Sequence, residues 1–271
     1  MGSAVLVNGQ PPAEPAAAIA CDDRGLNYGD GLFETAVLRG GAVRFLQGHL
    51  QRLREGCERL RIEYPGDESL LADIRSIGAA HADGVIKIVV TRGSGGRGYR
   101  PAATMRSTRI VTLHPLPAAN PNADMAARWC DTRLSRNPAL AGMKHLNRLE
   151  QVLAQLEWND AAVGEGLMLD TEGELVCGTA SNVFIGRNDA LFTPDLRYCG
   201  VRGVMRGQVL RAADELGIAV SEAPLWPRDL DDATEVFVTN AVRGIRSITA
   251  LDALRWEAGM LARRLTAALE L

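Results

Sequence analysis

The apolar positions change period along the chain, and those changes predict its elements. Leu46, Leu50, Leu53, Cys57 and Leu60 recur at intervals of three and four, the spacing of one helix face, which predicts a helix over residues 47–60. Upstream, Val5–Val7 before Asn8-Gly9 reads as a strand and a turn. Phe33–Leu38 and Val43–Phe45 read as strands joined at Gly40-Gly41 in a hairpin. Asp22–Gly31 reads as a turn-rich loop, and residues 67–80 as a second, more weakly patterned helix. Val85–Arg92 and Arg106–His114 have the apolar, β-branched character of strands.

Pro115–Ala123, with three prolines and two asparagines, interrupts the pattern. It divides the chain into a smaller N-terminal domain (1–117), a linker (118–124) and a larger C-terminal domain (125–271). The second domain is predicted to begin with a strand over Met125–Cys130. Leu146, Leu149, Leu153 and Leu156 then mark a helix starting just after Lys144. Short strands follow at Gly166–Leu169, Leu175–Val176, Val183–Ile185 and Leu191–Phe192. A helix over Gly203–Leu216, strands at Ile218–Val220, Glu235–Thr239 and Ile245–Ile248, and a terminal helix over Leu254–Leu269 complete the order. Strands and long helices do not alternate regularly, so the expectation is two α+β domains and not a doubly wound sheet.

Composition narrows the function. The 271 residues are 46% apolar and 23% charged, with a formal net charge of -3, an ordinary globular balance without the basic patch that nucleic acid needs. No apolar run is long enough to span a bilayer, and the N-terminus lacks the pattern of a secretory signal. Five dispersed cysteines, an odd number, suit a reducing compartment and predict a cytoplasmic protein. The four histidines do not stand at metal-ligand spacing, so no metal site is expected. There is no nucleophile elbow and no P-loop.

Of thirty basic residues only Lys87 and Lys144 are lysines, which leaves two candidates for amine chemistry. Lys144 follows Gly142-Met143 at the predicted helix start, where the helix dipole disfavours a positive charge; by itself the pattern also fits a solvated surface lysine. Lys87 reads as a half-buried strand lysine whose stem covers apolar surface. The glycine-rich run Arg92–Tyr99 reads either as a flexible hairpin or as a mobile loop presenting an arginine to an anionic substrate. Small residues before Asn182 permit a close ligand approach. Gly203 opens a helix whose first N–H groups suit a phosphate, and Asn240-Ala241 ends a strand where a second set of donors could stand. Each of these also reads as an ordinary turn or helix start.

Together these motifs resemble the fold-type IV pyridoxal-phosphate enzymes, which are D-amino-acid aminotransferase-like in fold. The resemblance rests on Asn27–Thr35, His49–Leu53, Arg92–Tyr99, Lys144–Glu150, Ser181–Phe184 and Val201–Arg206, in this order over nearly the whole chain. Within that family, Arg92–Tyr99 and Lys144–Glu150 are most similar to the 4-amino-4-deoxychorismate lyases of bacterial folate synthesis. The resemblance implies pyridoxal 5'-phosphate as cofactor and Lys144 as the lysine that bonds it covalently and acts as base. Arg52, Gly203, Val204, Met205, Asn240 and Ala241 match the positions that hold its phosphate. It implies Arg97 first, then Arg92, for the substrate carboxylates, with Tyr99 closing the loop. It also implies a homodimer and a functional proximity to aminodeoxychorismate synthase. Cys177 departs from the pattern, standing where the family has a glutamate facing the pyridine nitrogen. A neutral thiol supports a protonated pyridine poorly, whereas a thiolate, with a lowered pKa, would support it. The departure weighs against transamination more than against elimination. A transaminase acting on D- or branched-chain amino acids and a non-catalytic homodimer on the same fold are the other readings.

Overall fold

A computed structural model describes residues 4–14, 18–79, 81–117 and 125–271. The predicted linker, 118–124, lies outside the described residues. The chain forms two compact units: Met1–Ala118 with Met143–Asn147, and Ala119–Gly142 with Arg148–Leu271.

The first unit holds β1 (Ala4–Val7), α1 (Arg24–Tyr28), β2 (Gly31–Arg39), β3 (Ala42–Val43), α2 (Leu46–Leu60), α3 (Asp67–Gly78), β4 (Gly84–Thr91) and β5 (Thr108–His114). Its sheet runs β1-β5-β4-β2-β3, every neighbouring pair antiparallel. Along β2 the side chains alternate. Leu32, Glu34, Ala36 and Leu38 are buried under the helices, while Phe33 and Thr35 are half-buried on the other face. The predicted face of α2 supplies that cover through Leu50, Leu53 and Cys57. A loop was expected over Asp22–Gly31, but it contains α1. Asp23 caps that helix by accepting from Gly25 N, and Gly29 closes it in the left-handed conformation at φ 64°. Phe45, expected in a strand, is instead the left-handed residue that starts α2.

The second unit holds β6 (Met125–Trp129), α4 (Leu149–Gln155), β7 (Val163–Leu169), β8 (Leu175–Gly178), β9 (Asn182–Arg187), β10 (Ala190–Pro194), α5 (Val204–Glu215), β11 (Val220–Ala223), β12 (Glu235–Asn240), β13 (Gly244–Leu251), β14 (Leu254–Arg255) and α6 (Met260–Ala268). The sheet path is β11-β10-β9-β12-β13-β6-β7-β8, with β14 on β13. Pairs β10–β11, β13–β6 and β6–β7 are parallel, and the others antiparallel. Both faces of the central strands are covered. Val183, Ile185, Val236 and Val238 enter one apolar cluster; Phe184 and Phe237 stack at 5.1 Å in the other, against α5 and α6. This is why these strands read as continuous apolar runs. Leu254–Arg255 is a strand where the terminal helix was expected to begin. No described helix is long and apolar enough to cross a membrane.

Candidate active site

Lys144 does not stand at a helix start. Phe33 N donates to Lys144 O and Leu146 N to Gly31 O, each at 3.0 Å, and Leu32 bridges His145 antiparallel. This pairing holds the segment extended, so α4 begins only at Leu149 and the helix-dipole argument for Lys144 does not apply. The Lys144 ammonium instead sits 4.2 Å from the centroid of the Phe33 ring, where a cation is attracted to the aromatic face. Lys87 Nζ lies 5.5 Å from the same ring. The register explains it: Thr35 faces Lys87 and Phe33 faces Val89, which puts both lysines of the chain on one side of the sheet. Lys87 is exposed rather than half-buried.

On the helix-covered side, Arg52 of α2 closes its fork on Glu34, with Nε to Oε1 at 2.7 Å and Nη2 to Oε2 at 2.5 Å. His49 Nδ1 meets Oε2 at 2.6 Å; the ionised carboxylate only accepts, so Nδ1 carries the proton. Burial pushes the Glu34 carboxyl up, but Arg52 and His49 outweigh it and hold the group at about 2. Arg52 is therefore fixed by a carboxylate that the motif reading did not single out.

The two substrate arginines weighed in the sequence have different places. Arg92 donates to both oxygens of Asp30 and to the carbonyls of Leu60 and Arg61 at 2.7–2.9 Å. It anchors the end of α2, and its donors are spent there. Burial raises the Asp30 carboxyl, yet Arg92 and Arg24 bring it below its usual range. Arg97 is exposed, and so is Tyr99, whose ring meets Tyr28 edge-on at 5.7 Å.

In the second unit, Asn182 organises the start of α5. Its Nδ2 donates to Val201 O at 2.8 Å and its Oδ1 accepts from Gly203 N at 3.1 Å. A Cβ on Gly203 would lie 2.1 Å from that oxygen, so only glycine allows the approach. Gly203 provides no side-chain cap for α5, and the Val204 and Met205 side chains are buried. Their contribution toward a ligand is thus backbone N–H. Asn240 Oδ1 accepts from Val242 N and Arg243 N at 3.0 and 2.8 Å, shaping the turn that contains Ala241.

Cys177, on β8 opposite Met168, is buried in an apolar cluster with Cys130 and Cys199. Burial, the neighbouring Cys199 and Glu165 push its thiol far above the ordinary range. That burial disfavours the thiolate alternative raised by the sequence. Neither Glu172 nor Glu174 replaces the missing carboxylate: Glu172 is exposed and Glu174 pairs with Arg136. Sequence reasoning missed Glu165, which is 5% exposed. It accepts from Gly166 N, Thr179 N, Thr179 Oγ1 and Ser181 Oγ at 2.5–3.1 Å, fixing the loop between Cys177 and Asn182. Only the β6–β7 register, which turns Glu165 inward beside Ala127, reveals it. A cavity of about 530 Å³ adjoins this loop, lined by Glu165, Gln155, Asn240, Arg243 and Arg246 among others. Its charged lining is two arginines, Arg243 and Arg246, against the single Glu165 carboxylate. Among the described residues no cluster could hold a metal ion.

A 4-amino-4-deoxychorismate lyase from Pseudomonas aeruginosa is 44% identical, with a TM-score of 0.91 over 98% of each chain. An aminodeoxychorismate lyase from Vibrio harveyi is 32% identical, covering 96% of this chain and 97% of that protein. A putative branched-chain-amino-acid aminotransferase from Methanocaldococcus jannaschii is 33% identical, covering 92% of this chain and 88% of that protein. The profile of amino-transferase class IV matches residues 31–251. With that match over most of its length, this α+β chain belongs to the amino-transferase class IV family.

Proposed function

We propose that this protein is a pyridoxal 5'-phosphate-dependent lyase that converts 4-amino-4-deoxychorismate to 4-aminobenzoate and pyruvate. The residues present fit the cofactor. Taken unit by unit, Lys144 would supply the amine that bonds it and Arg52 a guanidinium, and the uncapped start of α5 with the Asn240-Ala241 turn would supply backbone donors for its phosphate. When bound, the cofactor supplies an electron sink that acidifies the C–H beside a bound amine. With its Nζ freed by the substrate amine, Lys144 would take the proton from the amine-bearing ring carbon, the C–O bond to the enolpyruvyl group would break as the ring becomes aromatic, and that proton would return to the leaving group as pyruvate forms. Lys87 and Arg97 give the substrate's two carboxylates cationic partners.

The likeness to the solved lyase carries this reading, because the Vibrio lyase and the archaeal transaminase are nearly equal in identity. The buried, protonated Cys177 thiol supports elimination over transamination. Supplying 4-amino-4-deoxychorismate to the purified protein should yield equal 4-aminobenzoate and pyruvate by chromatography. Lys144→Ala should lower the rate by about a thousandfold or more. Amino transfer from D- or branched-chain amino acids without 4-aminobenzoate would replace this reading with the transaminase.

The protein acts as a homodimer in the cytoplasm, in functional proximity to the synthase that makes its substrate. Leu149, Val152, Leu153 and Leu156 of α4 and its end, 50–76% exposed, support a second copy covering them. Leu153→Glu should shift the sedimentation coefficient from dimer to monomer; an unchanged coefficient would remove α4 from the interface.

A further inference from the structure

Arg24 of α1 is 3% exposed, a buried cation to which the proposed chemistry gives no part. Its Nη1 donates to Gly98 O at 2.9 Å, its Nη2 to Tyr99 O at 3.0 Å, and its Nε to Asp30 Oδ2 at 3.0 Å. The guanidinium lies 4.7 Å from the centroid of the Tyr28 ring, whose hydroxyl accepts from Gly98 N at 3.2 Å. The other end of the loop is tied as well. Arg24 N donates to Gly93 O, and Arg92 closes on the same Asp30 carboxylate. Gly93, Gly95, Gly96 and Gly98 all have positive φ, so the backbone of this loop brings little stiffness of its own. Its order comes from the ties at its ends. Arg97 stands between them, one residue before the first carbonyl that Arg24 holds.

We propose that Arg24 is a positioning residue, whose fork on two successive carbonyls sets the direction in which Arg97 presents its guanidinium to a carboxylate of the substrate. The substrate half of this inference rests on the lyase reading; the anchoring half stands on the loop alone. A lysine at position 24 keeps the charge but offers a single ammonium in place of the planar fork, so it cannot hold both carbonyls and Asp30 in one geometry.

The test compares wild-type holoenzyme with Arg24→Lys, Arg97→Ala, their combination and Tyr28→Phe. Hydrogen exchange of residues 93–99 and tryptic cleavage after Arg97 read the anchoring, and KM against kcat reads its consequence. In Arg24→Lys, exchange and cleavage should quicken about tenfold and KM rise about tenfold, with kcat kept within about threefold, as loss of charge-assisted bonds predicts. Adding Arg24→Lys to Arg97→Ala should raise KM no further, because the two act through one contact. Tyr28→Phe, which removes only a hydroxyl, should move the same quantities the same way by about threefold, and it keeps the test open if Arg24→Lys fails to fold. Unchanged exchange in a folded variant, a loosened loop with unchanged KM, or additive KM effects would each overturn the proposal. Wild-type enzyme without turnover would sink the lyase reading, and with it the role of Arg97. That failure appears in the wild type, whereas failure of the Arg24 inference appears only in the variants.

Discussion

The second unit contains two helices that begin alike and end up differently placed for chemistry. α5 and α6 both start at a glycine with extended backbone, Gly203 at φ -64°, ψ 141° and Gly259 at φ -74°, ψ 160°, and neither glycine offers a side-chain cap. At α6 the chain provides its own anion. Glu235 at the start of β12 accepts from Leu261 N and Ala262 N, each at 2.9 Å, and is 4% exposed. At α5 the nearest organised polar group is the Asn182 amide, which engages Gly203 N and the Val201 carbonyl. One helix start is a closed structural joint. The other has its glycine held in place by Asn182, and the backbone donors after it are those that the proposed function assigns to the cofactor phosphate.

Of the two helix starts, the closed one at α6 should cost the fold more when it is opened. Glu235→Ala leaves two buried N–H groups without their acceptor and should lower the unfolding free energy by about 3 kcal/mol, read by urea titration of the apoprotein. The affinity of the remaining folded protein for pyridoxal phosphate should stay within about threefold. Lost cofactor affinity at full stability would break the contrast, since α6 would then be the ligand-facing start.

Gly203→Ala is the reciprocal experiment. The added methyl drives Asn182 away from α5, so the dissociation constant for pyridoxal phosphate should rise about tenfold, some 1.4 kcal/mol. Apoprotein stability should fall as well, by about 1–3 kcal/mol, because the displaced Asn182 amide loses its bonds to Val201 and Gly203. A large stability loss with unaltered cofactor affinity would make α5 another structural joint.

The smallest effect at neutral pH belongs to Cys177→Ser. Because the thiol is already protonated, turnover should change by less than about threefold. The alkaline limb carries more information. The folded thiol keeps its proton while the unfolded one ionises above about pH 8.5, so its contribution to stability is lost as pH rises beyond that point. Cys177→Ser should make this decline less steep by up to about 1.4 kcal/mol per pH unit, measured by urea unfolding from about pH 8.5 to 10.5. An equal slope in wild type and variant would mean that the folded thiol ionises as readily as the unfolded one.

Much of the fold was legible because its signal is local. The three-and-four spacing from Leu46 to Leu60 returned as α2, and the apolar runs around Phe184 and Phe237 returned as strands covered on both faces. The misreadings have two causes. Leu146, Leu149, Leu153 and Leu156 have helical spacing, but pairing with β2 claims residues 144–146 first. The leucines left on α4 then stand exposed instead of forming a core. α1 was missed because five residues carry too little period to register, and its cap is a single Asp23 carboxylate.

The same division runs through the candidate site. Residue identity was enough to show which chemical groups were available: one lysine in the right motif, a glycine before α5, an arginine on the polar side of α2, and a cysteine where the family has a carboxylate. These are properties of single positions and survive without a partner. Tertiary structure alone decided what each could do. It set both lysines on one Phe33 ring, spent Arg92 on Asp30, locked Arg52 to Glu34, turned Glu165 inward, and kept the Cys177 thiol protonated by burying it. Each of those outcomes depends on a group distant in sequence, because charge, burial and hydrogen bonding are settled by neighbours in space.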